Sequence, residues 1–573
     1  MTASANRPTG WWMHHGDEAH TGVAHGSGID RQSVGRLALR HELTLDGPVL
    51  STPAIVDGFV FVGVANSRKA VGQNGGAFYK VELATGKIVA TFHWDIPAEE
   101  RDTHGFCGMG CTPAVRDGRV YFSAFNGKLY CLAQSDLRQH WVVDLRYADP
   151  PYAQPVTNDL GAEQGLPPAA GWSSPVAVNG RVYVGIGEGE NPFLYAFVYC
   201  LDAITGRVEW IFCTCQYEAG RDNRANELPA ETVTGGVPPG YTVFHGKPVV
   251  KGCSVWGSIA YDAALDRLYC PTGNPVPDSE LPSQGYSNGV IALDARTGAF
   301  VGFRQFPASS SYRVTDIDVD VGGSPTLFDD ARGRRLVGLG CKNGAYMVMD
   351  AATLDIVAVR QLLPHYNDGT QIPTVDPHGT QEELDGNVMN PVVPNEVSNQ
   401  HQGENYCGTY STGAFHAGLQ TLFVGLGGNN YHPLAPGIDT PTTPFMRALA
   451  VDGLADAWPL DDGNPRRYKN ARPPFYTWDR ESGLALPAIA NDVVFMTTSR
   501  LALYAFAADD GTLLWQDLLG DDTGGLNGGY GYCLGPAIYE DYVVTGSLIL
   551  GKKAGSLRIY ALSALAPLKE GLA

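Results

Sequence analysis

One short passage of sequence recurs eight times along this chain. It has a small or proline-containing start, an apolar strand, a Gly or Asp turn, a second strand, then an acidic-Thr-Gly turn and a closing aromatic. Ser51-Thr-Pro-Ala-Ile-Val-Asp-Gly-Phe-Val-Phe-Val, Cys111-Thr-Pro-Ala-Val-Arg-Asp-Gly-Arg-Val-Tyr-Phe and Ser174-Pro-Val-Ala-Val-Asn-Gly-Arg-Val-Tyr-Val are clear copies. Later copies carry Trp256-Gly-Ser, Gly323-Ser-Pro, a worn start near Thr409, Pro487-Ala-Ile-Ala and Pro536-Ala-Ile-Tyr. Each unit holds about four short strands, too few to bury a face alone, so neighbours must stack. Eight such units predict an all-β, eight-bladed β-propeller in which residues 1–573 form one domain. Arg36-Leu-Ala-Leu-Arg-His-Glu-Leu-Thr-Leu45 is the candidate for the strand that closes the ring, and Trp11-Trp12-Met-His-His-Gly-Asp17 forms a lead ahead of it. Long polar, Pro-rich insertions near 213–250, 362–407 and 428–483 are expected to gather over one face and roof an axial pocket.

Composition agrees with turn-dense β structure: 70 Gly and 38 Pro among 573 residues, with 17% charged. The formal charge of −20 excludes nucleic acid and anionic membrane surfaces as expected partners and favours a basic one. No apolar run approaches the roughly 20 residues that span a bilayer. The N-terminus lacks an apolar signal core, which leaves open a cytoplasmic chain or an exported one without its signal. The 11 cysteines are odd in number, and none lies in a Cys-x-x-Cys-His haem-attachment pattern.

Repeats alone do not specify chemistry, because many propellers are scaffolds. Several residues, however, are not required by blade packing. Ser254-Val-Trp256-Gly-Ser leads into a strand that ends at Pro271-Thr-Gly-Asn274, so an indole and an amide can face one cavity. Gly185-Ile-Gly-Glu-Gly189-Glu190 puts acids directly after an apolar strand. In Thr315-Asp316-Ile-Asp318-Val-Asp320, alternation places three carboxylates on one side of an extended segment. Such hard oxygen donors, drawn from separate units, suit calcium or a similar cation. A carboxylate beside that cation can act as a general base. Lys342, at the tight turn Gly340-Cys-Lys-Asn-Gly344, can supply a cation where negative charge develops. Asn405 is a further candidate polar contact.

On these residues the chain resembles the pyrroloquinoline quinone (PQQ) dependent alcohol dehydrogenases over essentially its whole length. The resemblance implies that Trp256 forms the floor under the quinone and Ser254 bonds its edge. Gly189, Lys342 and Asn405 would also contact the cofactor, and Glu190, Asn274, Asp318 and Asp320 would hold the metal. Asp318 would be the base that takes the alcohol proton, although the Asp-x-Asp-x-Asp run admits Asp316 in the alternative register. Lys342 stands where many members have Arg. The run from Asp318 to Pro325 is nearer the polyvinyl alcohol dehydrogenase branch, which implies a secondary or bulky alcohol. Calcium is the expected ion, with a lanthanide open because of Asp320. Without a haem segment, electrons would pass to an external acceptor such as a soluble cytochrome c, and the resemblance implies a periplasmic location.

Two features depart from the family, the extra acid Asp320 and the cysteines. The family often has a disulfide between adjacent cysteines above the cofactor, whereas here the nearest pairs are Cys107/Cys111 and Cys213/Cys215, each either bridged or free. A non-enzymatic propeller scaffold of the outer-membrane assembly type is the competing class. A propeller glycosidase and a nicotinamide enzyme fit less of the constellation, the latter because no Gly-x-Gly-x-x-Gly opens a helix.

Overall fold

The computed structural model describes residues 9–67, 75–95, 106–145, 171–187, 196–214, 242–244, 247–249, 253–273, 286–305, 321–341, 345–362, 411–426, 446–458, 485–498, 502–518, 531–532, 535–549 and 555–563. They form an eight-bladed β-propeller. Blades 2, 3, 4 and 5 are four-stranded antiparallel sheets beginning at Ala114–Arg116, Val176–Val178, Ala260–Asp262 and Thr326–Asp329. Blades 1, 6, 7 and 8 start at Ala54–Val56, Ala414–His416, Ala488–Ala490 and Ala537–Tyr539. The ring closes as expected: Leu37–Leu45 pairs antiparallel with Gly555–Leu562, so the N-terminal strand completes blade 8.

The repeated sequence explains the local geometry. Asp57-Gly58, Asp117-Gly118 and Asn179-Gly180 all have positive φ at both positions, the backbone of a two-residue hairpin turn whose twist matches its strands. In the acidic-Thr-Gly turn of blade 3, Asp202 Oδ1 accepts from Thr205 N and Thr205 Oγ1, both at 2.7 Å. This short side chain replaces the backbone partners that the turn lacks. Inner strands such as Ala114–Arg116 are buried, and outer strands such as Gln139–Asp144 are half exposed.

The closing aromatic of one unit docks on the next unit. Trp141 donates Nε1–H to Ala203 O at 3.3 Å, Trp210 to Ala295 O at 3.2 Å and Trp458 to Ala508 O at 2.9 Å. At the closing blade His41 takes the same place, with Nε2 3.0 Å from Ala84 O. Of the expected roof insertions, the described residues hold a hairpin pairing Thr242–Phe244 with Lys247–Val249, while the 428–483 stretch is not all insertion, because Met446–Ala450 within it is a blade 6 strand paired with Thr421–Gly425.

Candidate functional site at the mouth of the axis

The lead fills the centre of the ring. Its carbonyls accept the amide of the second inner-strand residue from blades 2, 4, 5, 6 and 7: Trp12 O from Val115 N, Glu18 O from Tyr261 N, Ala19 O from Leu327 N, Thr21 O from Phe415 N and Gly22 O from Ile489 N. These distances run from 2.7 to 3.0 Å. The inner strands thus find partners for edge groups that would otherwise face the axis unpaired.

Two histidines of the lead, His15 and His20, are buried on the axis, and a third, His14, is half-buried beside them. His20 Nδ1 lies 2.9 Å from Pro325 O, so it carries the proton, leaving Nε2 buried without a partner. His15 faces two carbonyls, with Nδ1 2.9 Å from His20 O and Nε2 2.6 Å from Pro487 O. His14 Nε2 lies 3.1 Å from Thr412 Oγ1 of blade 6, and His14 Nδ1 lies 3.5 Å from Ser174 Oγ of blade 3. Burial pushes the pKa of His15 down to about 4 and that of His20 to about 3, and holds His14 well below its ordinary value, the neighbouring histidines adding to the shift for His14 and His20.

Above this plug runs a relay of hydroxyl residues at one repeat position. Thr112 N donates to Ser174 Oγ at 3.0 Å, Ser174 N to Ser258 Oγ at 3.2 Å and Ser258 N to Ser324 Oγ at 2.9 Å. Trp256 stands two residues ahead of Ser258 and is half-buried. Ser254 is buried, and its Oγ has no hydrogen-bond partner. Across the blade boundary, a Cβ at Gly187 would lie 3.0 Å from Ser254 Cβ, so only glycine fits there. Ser254 O accepts from Gly273 N at 2.8 Å. On the other side, Gly323 N donates to Gly340 O at 3.2 Å.

Of the sequence-derived candidates, the structure places Trp256 and Ser254 together at this mouth. Gly189, Glu190, Asn274, Asp316, Asp318, Asp320, Lys342 and Asn405 lie outside the described residues. Their described chain neighbours are informative: Gly187, Gly273, Val321 and Cys341 precede or follow the segments that carry Glu190, Asn274, the Asp run and Lys342. Among the described residues no cluster of three or more His, Cys, Asp or Glu could hold a metal. Cys111 is a free thiol whose Sγ lies 3.3 Å from Ser123 O, and burial pushes its pKa up to about 11; the side chains of Cys107 and Cys215 lie outside the described residues.

Sequence reading missed two features. The lead acts as an axial plug, a role set by contacts more than 90 residues away in the chain. Trp172 is a second half-buried indole, two residues ahead of Ser174 as Trp256 is ahead of Ser258. Aligning the units on their ring hydroxyls would have found it.

A buried, unpartnered hydroxyl beside a half-buried indole, with a neighbour that admits no side chain, is a cradle for the edge of a flat polar ligand. The quinone cofactor of the sequence comparison fits that cradle. Residues 163–359 match the family described as "PQQ: Glucose/ethanol/alcohol dehydrogenase, beta-propeller domain". Over those residues the chain is similar to the propeller domain of the quinone-dependent alcohol dehydrogenases.

Particular relatives are distant. The chain is 26% identical over 352 residues to the dehydrogenase subunit of a quinone alcohol dehydrogenase from Gluconacetobacter polyoxogenes, covering 58% of this chain and 42% of that protein. It therefore spans less than half the length of that relative. The quinohemoprotein alcohol dehydrogenase of Comamonas testosteroni is 23% identical, with 100% of this chain and 76% of that protein covered. The crystal structure of the Comamonas testosteroni enzyme superposes with a TM-score of 0.66 at 17% identity, covering 99% of this chain and 83% of that one. A europium-containing methanol dehydrogenase gives 0.65 at 16% identity, with 97% and 99% covered. These structures share the fold.

Proposed function

We propose that this protein is a PQQ-dependent dehydrogenase that oxidises a secondary or bulky alcohol to the carbonyl compound. The supporting observation is a juxtaposition: Gly187 and Gly273, beside the segments that carry Glu190 and Asn274, both meet Ser254, and Gly323 and Gly340, beside the Asp run and Lys342, are hydrogen-bonded to each other. On this reading residues 1–573 act as one propeller domain.

Trp256 is the floor on which the ring system rests, and Ser254 Oγ donates to its edge, gaining the partner it lacks. Glu190, Asn274, Asp318 and Asp320 form an oxygen-rich donor set for calcium, or for a lanthanide if the extra acid Asp320 joins it. When bound, PQQ supplies a carbonyl that accepts hydride from the alcohol carbon. Asp318 takes the hydroxyl proton, and Lys342, with Gly189 and Asn405 as further contacts, orients the cofactor. Electrons leave to an external acceptor such as a soluble cytochrome c, whose basic docking face the −20 charge would attract. By family resemblance we place the protein in the periplasm; among the described residues no helix is long and apolar enough to cross a membrane.

The test is to add PQQ to metal-free protein with calcium or a light lanthanide in parallel. Quinone absorbance and dye reduction are followed with a panel of secondary alcohols. Metal-dependent binding with dye reduction is expected and identifies the ion. No binding with either ion would overturn the reading in favour of a propeller scaffold.

A further inference from the structure

Trp172 and Trp256 occupy the same place in adjacent blades. Each stands two residues ahead of a ring hydroxyl, and those hydroxyl residues are joined by the 3.2 Å bond from Ser174 N to Ser258 Oγ. The two indoles therefore start from one height on neighbouring walls of the mouth. Trp172 also meets Phe125 of blade 2 edge-on, with ring centroids 4.5 Å apart and planes at 63°. A Cβ at Gly110 would lie 3.1 Å from the Trp172 ring, so the indole leans over the mouth of blade 2.

Blade packing does not call for an indole here. Gly110 and Gly322 hold the equivalent position in blades 2 and 5, and those blades form the same four-stranded sheets. Nor does Trp172 belong to the blade-docking set, whose members lie on outer strands or, for Trp458, beyond the third strand, and donate Nε1–H to an alanine carbonyl of the next blade. A large aromatic that stays partly exposed at a concave mouth is a recognition surface rather than core.

We propose that Trp172 is a second aromatic contact for the planar cofactor, so that Phe125, Trp172 and Trp256 form an aromatic arc across blades 2, 3 and 4. This rests on the quinone reading above. PQQ is a fused three-ring system, longer than one indole, and an arc of rings from adjacent blades extends the floor beyond Trp256 toward its far edge. Trp172 binds and positions; it moves no proton.

The experiment measures the PQQ dissociation constant by equilibrium dialysis with quinone absorbance, at saturating metal, for the unaltered protein, Trp172→Leu and Trp172→Phe. Leucine keeps apolar bulk against Gly110 and Phe125 while removing the π face; thermal unfolding of each metal-free variant verifies the fold. The expected result is an affinity loss of about tenfold for Trp172→Leu, most of it restored in Trp172→Phe. Unchanged affinity in Trp172→Leu would overturn this inference alone, and a higher KM confined to bulky alcohols would then reassign Trp172 to the substrate wall. If the unaltered protein binds no quinone with either ion, the cofactor reading falls and takes this inference with it.

Discussion

Trp210 of blade 3 lies with its ring against Gly298 of blade 4 and donates Nε1–H to Ala295 O at 3.2 Å. The aromatic and the glycine of blade 3 thus serve different interfaces: Gly206 receives Trp141 of the preceding blade and Trp210 reaches the following one. Gly86, Gly206, Gly298 and Gly511 receive a ring from the preceding blade in this way, whereas Leu137, Leu354 and Leu454 hold the same left-handed turn position in blades 2, 5 and 6.

This relationship separates two costs of a glycine substitution. At Gly298 φ is +69° and a Cβ would lie 2.6 Å from the Trp210 ring, whereas Gly118 has φ +74° with open space around it. Gly118→Ala should cost about 1 kcal/mol, from the left-handed backbone alone. Gly298→Ala should cost about 3 kcal/mol, since the indole must also shift. Urea denaturation of both variants measures the difference, and equal midpoints would contradict the docking role.

The axial histidines should make the protein acid-sensitive. Their folded pKa values lie below the ordinary 6.5, at about 4 for His15 and about 3 for His20, because burial disfavours the charged ring. Below about pH 6.5 the unfolded chain binds protons that the folded chain refuses. Their stabilising contribution is therefore fully present above that pH and falls as the solution is acidified toward the folded values. The expected slope is about 1.4 kcal/mol per pH unit for each histidine that stays neutral when folded. His20→Asn keeps a donor for Pro325 O and tolerates the positive φ of +57°, so it should flatten the curve of unfolding free energy between pH 6 and 4.5. An unchanged slope would show that His20 does not contribute.

Ser254→Ala should act in opposite directions on the two forms. In the metal-free, cofactor-free protein it removes a buried hydroxyl without a partner and should leave stability unchanged or raise it by about 0.5 kcal/mol. Its quinone affinity should drop about fivefold, the worth of one hydrogen bond. Weaker folding with unchanged affinity would remove Ser254 from the site.

Asp318→Asn should lower kcat at least about 100-fold while quinone binding persists, because an amide cannot take the hydroxyl proton. Asp316→Asn provides the register control. If Asp316→Asn were the inactive variant instead, the base would be Asp316.

Trp256→Ala should weaken the cofactor itself by about tenfold or more, since it removes the floor. Dialysis against free quinone measures it. Retention of full affinity would leave Trp256 as a packing residue.

The sequence by itself determined the repeat, the number of blades, the all-β class and the closing strand, because each of these is written in local turn chemistry. Asp-Gly and Asp-x-x-Thr-Gly act over a few residues, so their geometry follows from composition. The sequence also singled out Trp256 and Ser254 as residues that strand packing leaves unexplained. Tertiary structure alone decided which blade each tryptophan touches, how the lead threads the axis, and that Trp172 stands beside Trp256. Ring closure brings together groups such as His14 and Thr412 that are hundreds of residues apart, and nothing in the local sequence of either records that meeting. Burial on the axis likewise set the charge of the histidines, since a side chain's protonation follows the solvent it loses, and that loss is known only once the blades have closed around it.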